Sequence, residues 1–217
     1  MLSGGGGWDS NPRCPSRGTT AFEFAIVGCG TVFKLVPPAS AGAGWTKVPL
    51  HAFTGADGGL PGGRLWLDAS GAIYGTTYQG GPGPCTNYPL DDVIGCGVVF
   101  KLTPPAAGHT AWTYKILHGF KGPDGAGSQG GVIADNAGRL YGTAAGGGAN
   151  GNGVAFRLNP PAAGQTIWRY TILHSFKLAT SGDNPAVGFV ADPDGRLYTG
   201  VNSGGSGFRG TIVRITP

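Results

Sequence analysis

The chain has 217 residues, enough for one domain with a substantial core. With 40% hydrophobic and 12% charged residues it is too apolar for a disordered segment. Its formal net charge of +4 comes from 15 Lys and Arg that never form a run, so the clustered basic face of a nucleic-acid binder is missing.

The 44 glycines predict short strands joined by tight turns. No apolar stripe at helical spacing outlasts two turns, so almost no helix is expected. Residues 1–27 read as an irregular N-terminal segment, within which Ala21–Ile26 could add a strand. Met1-Leu2-Ser3 runs directly into Gly4–Gly7 with no apolar region of the kind a signal peptide carries, and no stretch is long and apolar enough to span a membrane.

From residue 28 onward the chain repeats itself. Gly-x-Val/Ile-Phe/Val-Lys/Arg-Leu/Ile starts at Gly30, Gly97 and Gly210, with Gly-Val-Ala-Phe-Arg-Leu at Gly153, so the steps are 67, 56 and 57 residues. Leu-His-x-Phe recurs at Leu50–Phe53, Leu117–Phe120 and Leu173–Phe176, and Asp-x-x-Gly-x-Ile/Leu-Tyr at Asp68, Asp135 and Asp192. The excess in the first step lies between Tyr74 and Gly97, 23 residues against 12 from Tyr141 to Gly153. That insertion carries Cys85 and Cys96.

Each repeat reads as four strands, represented by Gly131–Asp135, Arg139–Ala145, Gly153–Asn159 and Ile167–Phe176. The turn after the first strand ends in glycine, as a hairpin with positive φ requires. The Pro-Pro after the third strand ends the ladder, because proline has no N–H to donate. In the outer strand, alternation predicts that Trp112, Tyr114, Ile116, His118 and Phe120 share one face.

Four short strands per unit, repeated about an axis, predict an all-β fold: a β-propeller of four-stranded antiparallel blades. The chain holds about 3.5 of them, as a partial blade over 28–53, blades over 54–120 and 121–176, and an incomplete blade over 177–217. Thirteen strands result. Such a ring is open, and its unpaired edges predict either a homo-oligomer that completes it or a longer gene product.

Cys29 and Cys96 each sit in Gly-Cys-Gly before equivalent strands, and Cys14 and Cys85 precede them by 15 and 11 residues. This repetition favours local bridges, Cys14–Cys29 and Cys85–Cys96, and hence an oxidising compartment. No Cys-x-x-Cys or cluster of histidines supports the rival reading as a zinc site.

Gly-Thr-Val-Phe-Lys-Leu, Pro-Pro-Ala-Ala-Gly, Trp-x-Tyr-x-Ile-Leu-His-x-Phe and Asp-x-x-Gly-x-Leu-Tyr-Gly-Thr resemble the bacterial choice-of-anchor tandem repeat proteins of the "GloVer" type, over about residues 28–217. That resemblance implies a secreted, surface-associated repeat protein that forms a propeller, with no established activity. The chain departs from it in lacking an export signal, an anchor and a full set of repeats.

Residues that recur in every repeat read as structural, because chemistry needs one site only. This covers His51, His118 and His174 and the turn-starting Asp68, Asp135 and Asp192. The ligand-binding candidates are Asp124, Asp183 and the insertion's Tyr88, at the expected channel mouth, with Arg64 and Trp66, which break the repeat and could stack a sugar ring. A mouth lined by Asp57, Asp124 and Asp183, with Asp91 and Asp92 from the insertion, could hold sugar hydroxyls or a calcium ion. No cofactor and no resident metal are otherwise expected.

The leading expectation is a secreted module that binds an extracellular glycan or polysaccharide. Enzyme activity is undecided by the sequence. If present, it is expected to be glycoside hydrolysis with catalytic candidates Asp91, Asp92 and Asp57. A structural, assembly-forming protein is the third expectation.

Overall fold

The computed structural model describes residues 2–5, 29–86, 95–204 and 209–217. Among these residues the elements are fourteen strands, with no helix. They form four antiparallel sheets in chain order. The first holds β1 (Leu2–Gly5), β2 (Thr31–Val36) and β3 (Thr46–Ala52). The second holds β4 (Gly59–Leu67), β5 (Ile73–Gln79), β6 (Val98–Thr103) and β7 (Thr113–Gly119). The third holds β8 (Val132–Ala134), β9 (Leu140–Ala144), β10 (Val154–Asn159) and β11 (Arg169–Ser175). The fourth holds β12 (Val190–Ala191), β13 (Leu197–Val201) and β14 (Thr211–Ile215).

Within every sheet, strands that follow one another in sequence lie side by side. The strand beside β2 differs from expectation. It comes from Leu2–Gly5, within the segment read as irregular, which pairs with Thr31–Lys34. Backbone groups alone make such a ladder, so a glycine run can form it without a hydrophobic pattern. Ala21–Ile26 lies outside the described residues.

Three apolar clusters weld each sheet to the next. Val32 and Phe53 of the first repeat pack with Ile73, Val98, Phe100 and Leu102 of the second. Tyr74, Val99 and Phe120 then meet Val132, Leu140, Phe156 and Leu158. Tyr141, Ala155 and Phe176 meet Phe189, Leu197, Val201 and Ile215. The Phe of Leu-His-x-Phe is buried at every junction, as Phe53, Phe120 and Phe176.

Backbones also meet directly. Arg64 bridges Gly131 in parallel, and a Cβ on Gly131 would fall 2.1 Å from the Arg64 carbonyl oxygen. With φ at +71°, Gly131 is required twice over, by conformation and by space.

The outer strands β3, β7 and β11 each contain a β-bulge, and this corrects the expected single face. Opposite Val99 and Phe100 stand His118 and Ile116, with Leu117 as the extra residue, and the same shift occurs in β3 and β11. One inserted residue reverses the alternation. Trp112, Tyr114 and Ile116 therefore pack toward the first sheet, whereas Phe120 packs into the third and His118 stacks on its outer strand.

Among the described residues the two ends of the stack lack these neighbours. Val190 is 69% and Ile212 78% exposed, although Val99 and Ala155, which stand where Ile212 does, are fully buried. At the other end Trp45 is 60% exposed. Among the described residues no backbone hydrogen bond joins the first sheet to the last.

Candidate functional site: the sheet junctions and the stapled loop

The loop after each outer strand builds a repeated polar junction. His51 hydrogen-bonds through Nε2 to Asp57 Oδ2 at 2.9 Å, and His118 does the same with Asp124 at 2.9 Å. The other carboxylate oxygen closes a turn, accepting the N–H of Thr54 or of Lys121. The next sheet then locks on: the Tyr114 and Tyr170 hydroxyls donate to the backbone carbonyls of Asp57 and Asp124. Their rings lie flat on His51 and His118, at centroid distances of 4.1 and 3.9 Å.

Burial opposes ionisation of Asp57 and Asp124. Hydrogen bonds from His51 and Thr54, and from His118 and Lys121, outweigh it and hold both carboxyls below their ordinary range. Burial, aided by Asp57 and Asp124, pushes Tyr114 and Tyr170 above the ordinary phenol range, so both remain donors. Both tyrosines stand in the recurrent outer-strand motif, but their stacking on the histidine of the preceding sheet escaped sequence reading. The available signal was a Tyr four residues before His in two copies, with Lys47 in the first.

The third junction is different. One extra residue separates Phe176 from its loop residue, so Ser181, not Asp183, faces His174 at 3.0 Å and accepts the Lys177 N–H. Asp183 instead exchanges backbone hydrogen bonds with Ser203 and Asn202. The three loop aspartates are thus not equivalent: Asp57 and Asp124 serve their own junctions, and Asp183 serves neither role.

Asp68, Asp135 and Asp192 behave as the spacing predicts. Each accepts two backbone N–H groups of its own turn and the hydroxyl of the Tyr six residues on. Burial resists their charge slightly, and these bonds lower their pKa values nonetheless.

Trp66 leans on Tyr74 at 5.2 Å, and Tyr74 contacts Trp168 at 6.2 Å, so the tryptophan is part of an aromatic layer between the second and third sheets. The Arg64 side chain is exposed. Tyr88, Asp91 and Asp92 lie outside the described residues, as does Cys14, the expected partner of Cys29, which is buried and disulfide-bonded.

Cys85 and Cys96 form the expected bridge, with Cα atoms 4.9 Å apart. It staples the inserted loop between β5 and β6. That loop is also tied to the following junction, where Thr86 donates its N–H and hydroxyl to the Lys121 carbonyl. Its β5 end reaches the previous junction, with the Gly81 N–H donating to Gly55. A Cβ on Gly122, whose φ is +100°, would fall 1.7 Å from the Thr86 carbonyl oxygen. Among the described residues no group of three or more His, Cys, Asp or Glu is placed to hold a metal ion.

Repeated antiparallel sheets of three or four strands, stacked in chain order and joined at two of three junctions by the same His–Tyr lock, define a tandem-repeat protein of the all-β class. The chain belongs to the Gloeobacter/Verrucomicrobia repeat family, whose model matches residues 90–217. No curated protein and no solved structure matches it.

Proposed function

We propose that the sheets are blades of a β-propeller and that the chain is a secreted module binding an extracellular polysaccharide through the face that carries the insertion. The observation that carries this reading is the stapled loop. It is the longest departure from the repeat, and a disulfide, Thr86 and Gly81 hold its ends against rigid junctions on both sides. Loops positioned by a rigid scaffold are where binding residues concentrate. The repeated Asp and His groups, by contrast, are consumed by their own turns and junctions. The bridge fits an oxidising compartment. No helix among the described residues is long and apolar enough to cross a membrane.

The test is retention on insoluble polysaccharides such as cellulose, chitin, xylan and peptidoglycan. Retention on one of them is expected, and Asp91→Ala with Tyr88→Ala should weaken it about tenfold, the scale of one lost stacking or charged contact. A chain that passes unretarded through every polymer rejects the proposal. An assembly role is the second reading, favoured by the exposed Trp45, Val190 and Ile212 at the two ends of the stack. A strictly monomeric mass by light scattering removes it.

A further inference from the structure

The loops between the second and third strands of sheets two and three are tied to the neighbouring junction in different ways. In the second sheet the Cys85–Cys96 bridge closes the loop, and Thr86 reaches the Lys121 carbonyl. The third sheet has no cysteine between β9 and β10, and there two asparagines make the tie. Asn150 donates through Nδ2 to the Phe176 carbonyl at 3.0 Å, and Asn152 Oδ1 accepts the Leu178 N–H at 3.3 Å. Both asparagines precede glycine, and these are the two Asn-Gly pairs of the chain.

Such a pair is chemically weak, because glycine has no Cβ to keep its nitrogen away from the preceding side chain. At Asn150 the Gly151 nitrogen attacks Cγ, its proton leaves with the amide as ammonia, and a five-membered imide forms. Water then opens the imide. Cleavage of the new N–Cγ bond gives aspartate, and cleavage at the original backbone carbonyl carbon gives isoaspartate.

The fold separates the two pairs. Asn150 and Gly151 are exposed in a turn closed by the Gly151 N–H bond to the Gly148 carbonyl, at 3.2 Å. Nothing lies within 4 Å of a Cβ built on Gly151. Gly153, by contrast, is buried, and its N–H donates to the Gly147 carbonyl at 3.0 Å while the Asn152 carbonyl accepts the Asn184 N–H. A Cβ on Gly153 would fall 2.5 Å from the Ala144 carbonyl oxygen and 2.6 Å from Pro185. An imide at Asn152 therefore requires the loop to leave its junction first. At Asn150 one turn bond and one side-chain bond suffice.

We propose that Asn150–Gly151 is a site of spontaneous, water-driven deamidation, and that the conversion releases the β9–β10 loop from the third junction. A carboxylate has no N–H to donate, so its oxygens repel the Phe176 carbonyl that the amide held. The Thr86 tie of the second sheet contains no such amide and does not age in this way. The proposal is independent of the polysaccharide reading.

The test incubates the intact chain in warm, mildly alkaline heavy-oxygen water and locates the label by peptide mass spectrometry. Label is expected at Asn150 about tenfold faster than at Asn152, the ratio set by one further backbone hydrogen bond and a buried glycine. Equal entry at the two positions, or faster entry at Asn152, overturns the proposal. So does an Asn150 that stays unlabelled in the chain while a peptide of Gly147–Val154 takes up label. For the release, Asn150→Asp is compared with the parent chain by amide exchange. The Gly151 and Leu178 N–H groups should exchange about tenfold faster, with the thermal transition intact. Unaltered exchange at both overturns the release. Should the variant lose its transition, the aged and labelled parent chain is measured in its place against the same criterion.

Discussion

At the scale of single residues, this protein spends its charge on turns. Asp57, Asp68, Asp124, Asp135 and Asp192 all have depressed pKa values. The sign of the consequence is fixed: below about pH 4 the unfolded chain takes up protons that the folded chain refuses, so stability falls. Thermal midpoints should therefore be full above about pH 5 and drop progressively as the pH passes down through the folded-state values. A melting series from pH 7 to pH 2 checks this, and a midpoint that rose on acidification would contradict it. Asp135→Ala removes the acceptor of two backbone N–H groups, the Tyr141 hydroxyl and Arg139. It should cost about 2 kcal/mol in urea unfolding, the scale of hydrogen bonds to a partly exposed charge. These turn aspartates were legible because their partners are local and their spacing recurs. The His–Tyr stacking was not, because Tyr170 lies 52 residues from His118 and on another sheet. Nor was Ser181, since a one-residue insertion shifts the loop and leaves Asp183 as the more conspicuous acid.

Elements were the most legible level, and their faces the least. The expected strands Gly131–Asp135, Arg139–Ala145, Gly153–Asn159 and Ile167–Phe176 appear as Val132–Ala134, Leu140–Ala144, Val154–Asn159 and Arg169–Ser175. Glycine, proline and the β-branched and aromatic runs mark such boundaries chemically. A bulge leaves no such mark, because Leu117 is as good a strand residue as any. Only the pairing reveals that it has no partner, and with it the reason one strand can serve two sheets. The Cys85–Cys96 bridge was legible from repeat position and closes a loop spanning 11 residues of sequence separation. Its reduction, or Cys85→Ser with Cys96→Ser, should cost about 3 kcal/mol on the loop-entropy estimate. Denaturant unfolding with and without dithiothreitol measures this directly. A loss near zero would mean that Thr86 and its neighbours hold the insertion unaided.

For the whole molecule, the repeat dictated four sheets joined in chain order, and the apolar clusters place each junction where the recurrent Phe and Leu fall. What no repeat can disclose is the residue set at the two ends, where exposed Trp45 and Val190 take the place of half-buried counterparts and exposed Ile212 that of buried ones. Phe120→Ala, at the central junction, should destabilise the chain by about 3–5 kcal/mol, the usual cost of emptying a buried aromatic site. Chemical denaturation reads that loss. Since among the described residues the apolar clusters join each sheet to those beside it, cohesion is distributed like that of a short stack of plates, strongest in the middle. The outermost plates should work loose first. A dilute protease ought to trim the chain from its terminal sheets inward and leave a resistant fragment spanning β4 to β11, the two central sheets with the aromatic lock between them intact.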